Sequence, residues 1–184
     1  MSLPVTEVER ELLHTRRIRY EGYKRADGLW DIEAHLTDIK NHDYHLKTGV
    51  RRAGQPVHSM WLRLTIDRAL NVTDASASSE VVPYPGGCEA IAPAYRRLIG
   101  LNLVKDFRKT VKALLGGVRG CTHLTEMLAG MPTAAIQSFA GEMKEERDDG
   151  SKPFQLDQCH ALETTSETVK KWYPRWYENP RVPR

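Results

Sequence analysis

At 184 residues with 40% hydrophobic side chains, the chain can bury a core without disulfide staples. Its 27 basic residues are nearly matched by 24 acidic ones, a net charge of +3 that argues against a nucleic-acid binder. Three cysteines is an odd count, no charged start leads into an apolar N-terminal run, and no hydrophobic stretch approaches a membrane span. A soluble, cytoplasmic protein with no membrane contact is expected, its thiols free or metal-bound rather than bridged.

The first predicted element is a hairpin from Thr15 to Lys40. Arg16-Arg17-Ile18-Arg19-Tyr20 leads to the turn signal Ala26-Asp27-Gly28, and a second strand follows in which Trp30, Ile32, Ala34 and Leu36 alternate with polar residues. Arg16, Arg17, Arg19, Lys24 and Arg25 read as a solvated strand face. Asn41 to Gln55, with His42 and His45, is polar and reads as an exposed loop. A second hairpin joins Val57–Ile66, which puts His58, Met60, Leu62, Leu64 and Ile66 on one face, to Val72–Ala77 through Asp67-Arg68-Ala69-Leu70.

Pro83-Tyr84-Pro85-Gly86-Gly87 marks the change from strands to helices. Helices are expected at about Cys88–Ile99, Val104–Leu115 and Thr122–Ala129, another after Pro132, and a short one near Ser166–Lys171. Residues 142–152 form a charged surface segment, and residues 172–184 an aromatic and proline-rich tail suited to packing on the body or on a second subunit. Strands first and helices afterwards predict one α+β domain over residues 1–184, with an antiparallel sheet of about four strands and helices on one face.

The chemistry concentrates on cysteines and histidines. Cys88 follows Gly86-Gly87, and Cys121 sits in Gly120-Cys121-Thr122-His123; both open a predicted helix, where unpaired N–H groups favour the thiolate. With His58 and His123 they make a metal-ligand set of His58, Cys88, Cys121 and His123, suited to zinc or an iron–sulfur cluster. His123 lies about 200° round a helix from Cys121, so it joins such a site only if Cys121 is still in the loop. The same thiols read alone are small buried hydrophobes. Cys159, beside His160, reads as structural or as an exposed thiol.

The run Gln55–Asp67, the phrase Asp74-Ala75-Ser76-Ala77, Gly116–Leu124, Tyr23–Trp30 and Gln158-Cys159-His160 together resemble an uncharacterised bacterial family, domain of unknown function 2889. That likeness carries no activity. More distantly, the order of strands, Asp-Ala phrase and Gly-Cys helix starts is similar to the iron–sulfur scaffold proteins of the IscU and NifU N-terminal type, with a SufE/IscU-like fold. In that likeness Cys88 and Cys121 match two family cysteines and His58 stands near the family's aspartate; the first family cysteine has no counterpart. Three functions follow as expectations: a metal-binding or iron–sulfur scaffold-like protein, a non-catalytic assembly module with a protein partner or a second copy, and a thiol-dependent enzyme using Cys121.

Overall fold

The computed structural model describes residues 3–139 and 150–179. The chain divides into two compact units, Met1–Ser138 and Phe139–Arg184. In the first, β1 (His14–Lys24), β2 (Trp30–Lys40), β5 (Pro56–Ile66) and β6 (Val72–Val81) form an antiparallel sheet in the order β1-β2-β5-β6. The expected α+β architecture of two hairpins is present. Asp27-Gly28 closes the first: Gly28 takes φ +83°, and Arg25 N–H reaches Leu29 O at 2.9 Å.

Alternation decides which face is covered. Trp30, Ile32, Ala34 and Leu36 of β2 stand opposite Ile66, Leu64, Leu62 and Met60 of β5, and all eight are buried. Helices α2 (Thr122–Met127) and α3 (Met131–Ser138) lie on this sheet, α2 against β2 and β5 and α3 against β1 and β2. Leu124, Met127, Met131 and Ala135 are fully buried there. Helix α1 (Phe107–Leu115) and the 3-10 segment Glu89–Leu98 complete the unit; the expected helix at Cys88–Ile99 is this tighter form, with Pro93 inside it.

The structure corrects the reading of Asn41–Gln55. That stretch contains a small hairpin of β3 (Tyr44–Leu46) and β4 (Gly49–Arg51), too short and too polar to give an alternation signal. The second unit is built around buried Leu156, Thr164 and Val169, with helix α4 (Glu167–Trp172) capped by Ser166, whose Oγ accepts Val169 N–H. Most of the charged segment 142–152, and the tail beyond residue 179, lie outside the described residues.

Two contacts fix how α2 sits on the sheet. Tyr20 of β1 donates its hydroxyl to Met127 O at 2.9 Å, and a Cβ on Gly130 would fall 2.6 Å from the Tyr20 ring and hydroxyl. The helix turn approaches the strand only because residue 130 has no side chain. Gly130→Ala is expected to cost about 1–3 kcal/mol in urea denaturation by overpacking. Most of that loss should disappear in a Tyr20→Ala background, where the obstructing ring is gone.

Candidate functional site

Three neighbouring strands end their inward rows with polar residues at the same level. On β1 the inward positions run Tyr20, Ile18, Arg16; on β2 they run Ala34, Leu36, Asp38; on β5 they run Leu62, Met60, His58. The register sets Arg16 opposite Asp38 and Asp38 opposite His58, so one row across the sheet reads Arg16, Asp38, His58. Immediately beyond, the β2/β5 register shifts between Asp38 and Ile39, at Pro56. A bulge with proline at the strand start ends regular pairing beside the row.

Asp38 is the centre. It is buried, and its Oδ1 accepts from Arg16 Nε at 2.8 Å and lies 2.8 Å from His14 Nε2. Its Oδ2 accepts from Arg16 Nη2 at 2.8 Å, lies 2.9 Å from His58 Nδ1, and is 3.8 Å from His123 Nε2. Arg16 also donates Nη1 to Glu126 of α2, tying the strand to the helix. Burial works against the Asp38 carboxylate, but hydrogen bonds from Arg16 and His14 and the charges of Arg16 and His58 outweigh it and hold the group well below the usual carboxylate range. Burial pushes His58 down from the ordinary imidazole value, helped by His123 and only partly opposed by Asp38.

Helix α2 delivers the fourth side. Its N-cap is Cys121, with extended backbone (φ −96°, ψ 132°), so this thiol remains in the loop while His123 occupies the first turn. That meets the condition under which the two can meet: Cys121 Sγ lies 3.8 Å from His123 Nδ1. The His123 ring packs on His58 with centroids 3.9 Å apart and planes tilted by 34°. Fully buried Tyr95 holds the helix start, accepting Cys121 N–H at 3.0 Å and lying 2.9 Å from Thr125 Oγ1. Burial disfavours the Cys121 thiolate, but the His123 ring and the N–H groups of Leu124 and His123 bring the thiol below its ordinary value.

Among the described residues, Asp38, His58 and His123 form a group whose ligating atoms all lie within 4.8 Å of one another. Of the residues the sequence singles out, His58, His123 and Cys121 come together. Cys88 is not in this group; it is half-buried before the 3-10 segment, its N–H bonded to Tyr84 O at 3.1 Å. Cys159 is exposed in the second unit. Asp38, Arg16, His14 and Glu126 were not expected in a site; Arg16, although partly exposed, stands on the inward row opposite Asp38 and pairs with it. The signal for Asp38 was the alternation itself, since residue 38 continues the inward row of Trp30, Ile32, Ala34 and Leu36.

Residues 14–137 match the model of a family described as a protein of unknown function, DUF2889. The chain belongs to that family. The matched region opens at His14 and closes within α3, so it holds every residue of the Asp38 cluster and none of the second unit. No curated protein and no solved structure matches the chain, and the likeness to IscU-type scaffolds finds no support there. No helix among the described residues is long and apolar enough to cross a membrane.

Because Asp38 is held charged among donors, Asp38→Asn is expected to cost about 3 kcal/mol at pH 7, as breaking a buried pair does. The sign with pH follows from the depressed carboxylate: its contribution is present above the unfolded value of about 3.9 and is lost as pH falls towards the folded one. The gap between wild type and Asp38→Asn in urea denaturation should therefore narrow by about 1 kcal/mol between pH 7 and pH 3.

Proposed function

We propose that this protein binds one divalent transition-metal ion through Asp38, His58 and His123. The observation that carries the reading is the convergence of one carboxylate and two imidazoles within 4.8 Å. A tetrahedral ion with bonds of about 2.1 Å needs its ligand atoms about 3.4 Å apart. The separations from Asp38 Oδ2, 2.9 Å to His58 Nδ1 and 3.8 Å to His123 Nε2, bracket that spacing. A neutral imidazole is the ligating form, and the lowered proton affinity of His58 favours it near neutral pH.

Mixed nitrogen and oxygen donors suit zinc or another borderline ion, and three protein ligands leave a further position for water or a small molecule. The set favours a single ion over an iron–sulfur cluster, which relies on several thiolates. Cys121 supports the site from outside: with the His123 proton on Nδ1, the sulfur accepts it and leaves Nε2 free to ligate.

Protein made without a His-tag and purified without chelator should carry, or take up on dialysis, one equivalent of zinc or cobalt. His58→Ala and His123→Ala should each weaken binding more than about 100-fold, a ligand counting for at least as much as an outer-sphere partner. Cys88→Ala should bind as wild type does. A wild-type protein that takes up no metal, or a His58→Ala/His123→Ala variant that binds as well, would sink the reading.

The 3.8 Å contact between Cys121 Sγ and His123 Nδ1 supports a second reading, thiol chemistry with His123 as base. Its signature is Cys121 alkylating with iodoacetamide much faster than exposed Cys159 near neutral pH, with His123→Ala removing the difference. Equal rates at the two thiols would exclude it.

A further inference from the structure

Arg16 occupies the carboxylate that the metal would use. Its Nε and Nη2 donate to the two oxygens of Asp38, each at 2.8 Å, and Nη2 lies on Oδ2, the oxygen that faces His58 and His123. A dication placed among these three ligands would stand within a few ångströms of a guanidinium that never loses its charge. In a partly buried setting that repulsion is large compared with the affinity differences that matter. Arg16 has a second anchor. Nη1 already donates to Glu126, whose carboxylate is about half exposed and sits three residues after His123 on α2.

We infer that Arg16 is a competing cation built into the site: it holds Asp38 in the metal-free protein, yields it to an entering ion, and is then retained by Glu126. The inference rests on the metal reading above. It makes the site an exchangeable one, filled according to metal supply, because part of the binding free energy is spent on breaking an existing bidentate pair. It also couples the site to the fold, since the Arg16 guanidinium of β1, displaced from Asp38, is drawn towards the helix that carries His123.

The test is zinc affinity, by competition with a chromophoric chelator, in full-length protein. Arg16→Gln should bind at least about tenfold more tightly than wild type, because the competing charge is gone while a shorter, neutral polar side chain remains. Arg16→Lys keeps the charge and should stay within a few-fold of wild type. Glu126→Gln should weaken binding several-fold, because Arg16 then has only Asp38 to hold. In the Arg16→Gln background the Glu126 change should have little effect, since it acts through Arg16.

Weaker or unchanged zinc binding by folded Arg16→Gln would overturn the inference and make Arg16 a positioning residue for Asp38. An additive effect of the two changes would overturn it as well. If Arg16→Gln does not fold, Glu126→Gln decides: weaker binding supports competition, and unchanged or tighter binding refutes it. Absence of zinc binding in wild type and every variant would instead remove the metal reading itself, an outcome separate from any ordering among variants that bind.

Discussion

The bidentate contact between Arg16 and Asp38 is the interaction on which the metal-free arrangement of the cluster depends. A carboxylate at the covered end of a sheet row needs compensation, and the facing position on β1 supplies a guanidinium whose planar fork matches it. Once that pair is made, Oδ2 is fixed beside His58 on the next strand, and the remaining Arg16 nitrogen reaches Glu126 on α2. One side chain thus ties the sheet half of the cluster to the helix that completes it. The apolar rows of β1, β2 and β5 supply the rigid base, because side chains at one level of a registered sheet cannot slide past each other without turning their whole rows over.

Much of the fold was legible because its signals are periodic and local. The β2 alternation, the Asp27-Gly28 turn and the inward set of β5 each name a strand and its covered face without any knowledge of partners. The helices after Pro83 followed from spacing and glycine breaks. The hairpin within Asn41–Gln55 did not, since three-residue strands carry no measurable alternation and depend on neighbours for their form.

The site was legible in part, for a related reason. His58, Cys121 and His123 stand out by residue type, and Cys121 and His123 are close in sequence. Asp38, Arg16 and Glu126 are ordinary charged residues whose meaning comes only from register: 16 faces 38, 38 faces 58, and 126 reaches back to 16. The pairing of Cys88 with Cys121 was an extrapolation from two similar Gly-Cys helix starts. Among the described residues the group that could hold a metal gathers on a carboxylate, and the family match closes around that cluster from His14 to α3.

A donor set centred on Asp38 differs from one centred on cysteine in a property that can be seen without mutation. X-ray absorption at the zinc edge of the loaded wild-type protein reads the atoms bonded to the ion. Ligation by Asp38, His58 and His123 gives a first shell of nitrogen and oxygen alone at about 2.0–2.2 Å, with the outer scattering of two imidazoles. A sulfur scatterer at about 2.3 Å would contradict it, because the ion would then be held by a thiolate and not by the Asp38 row.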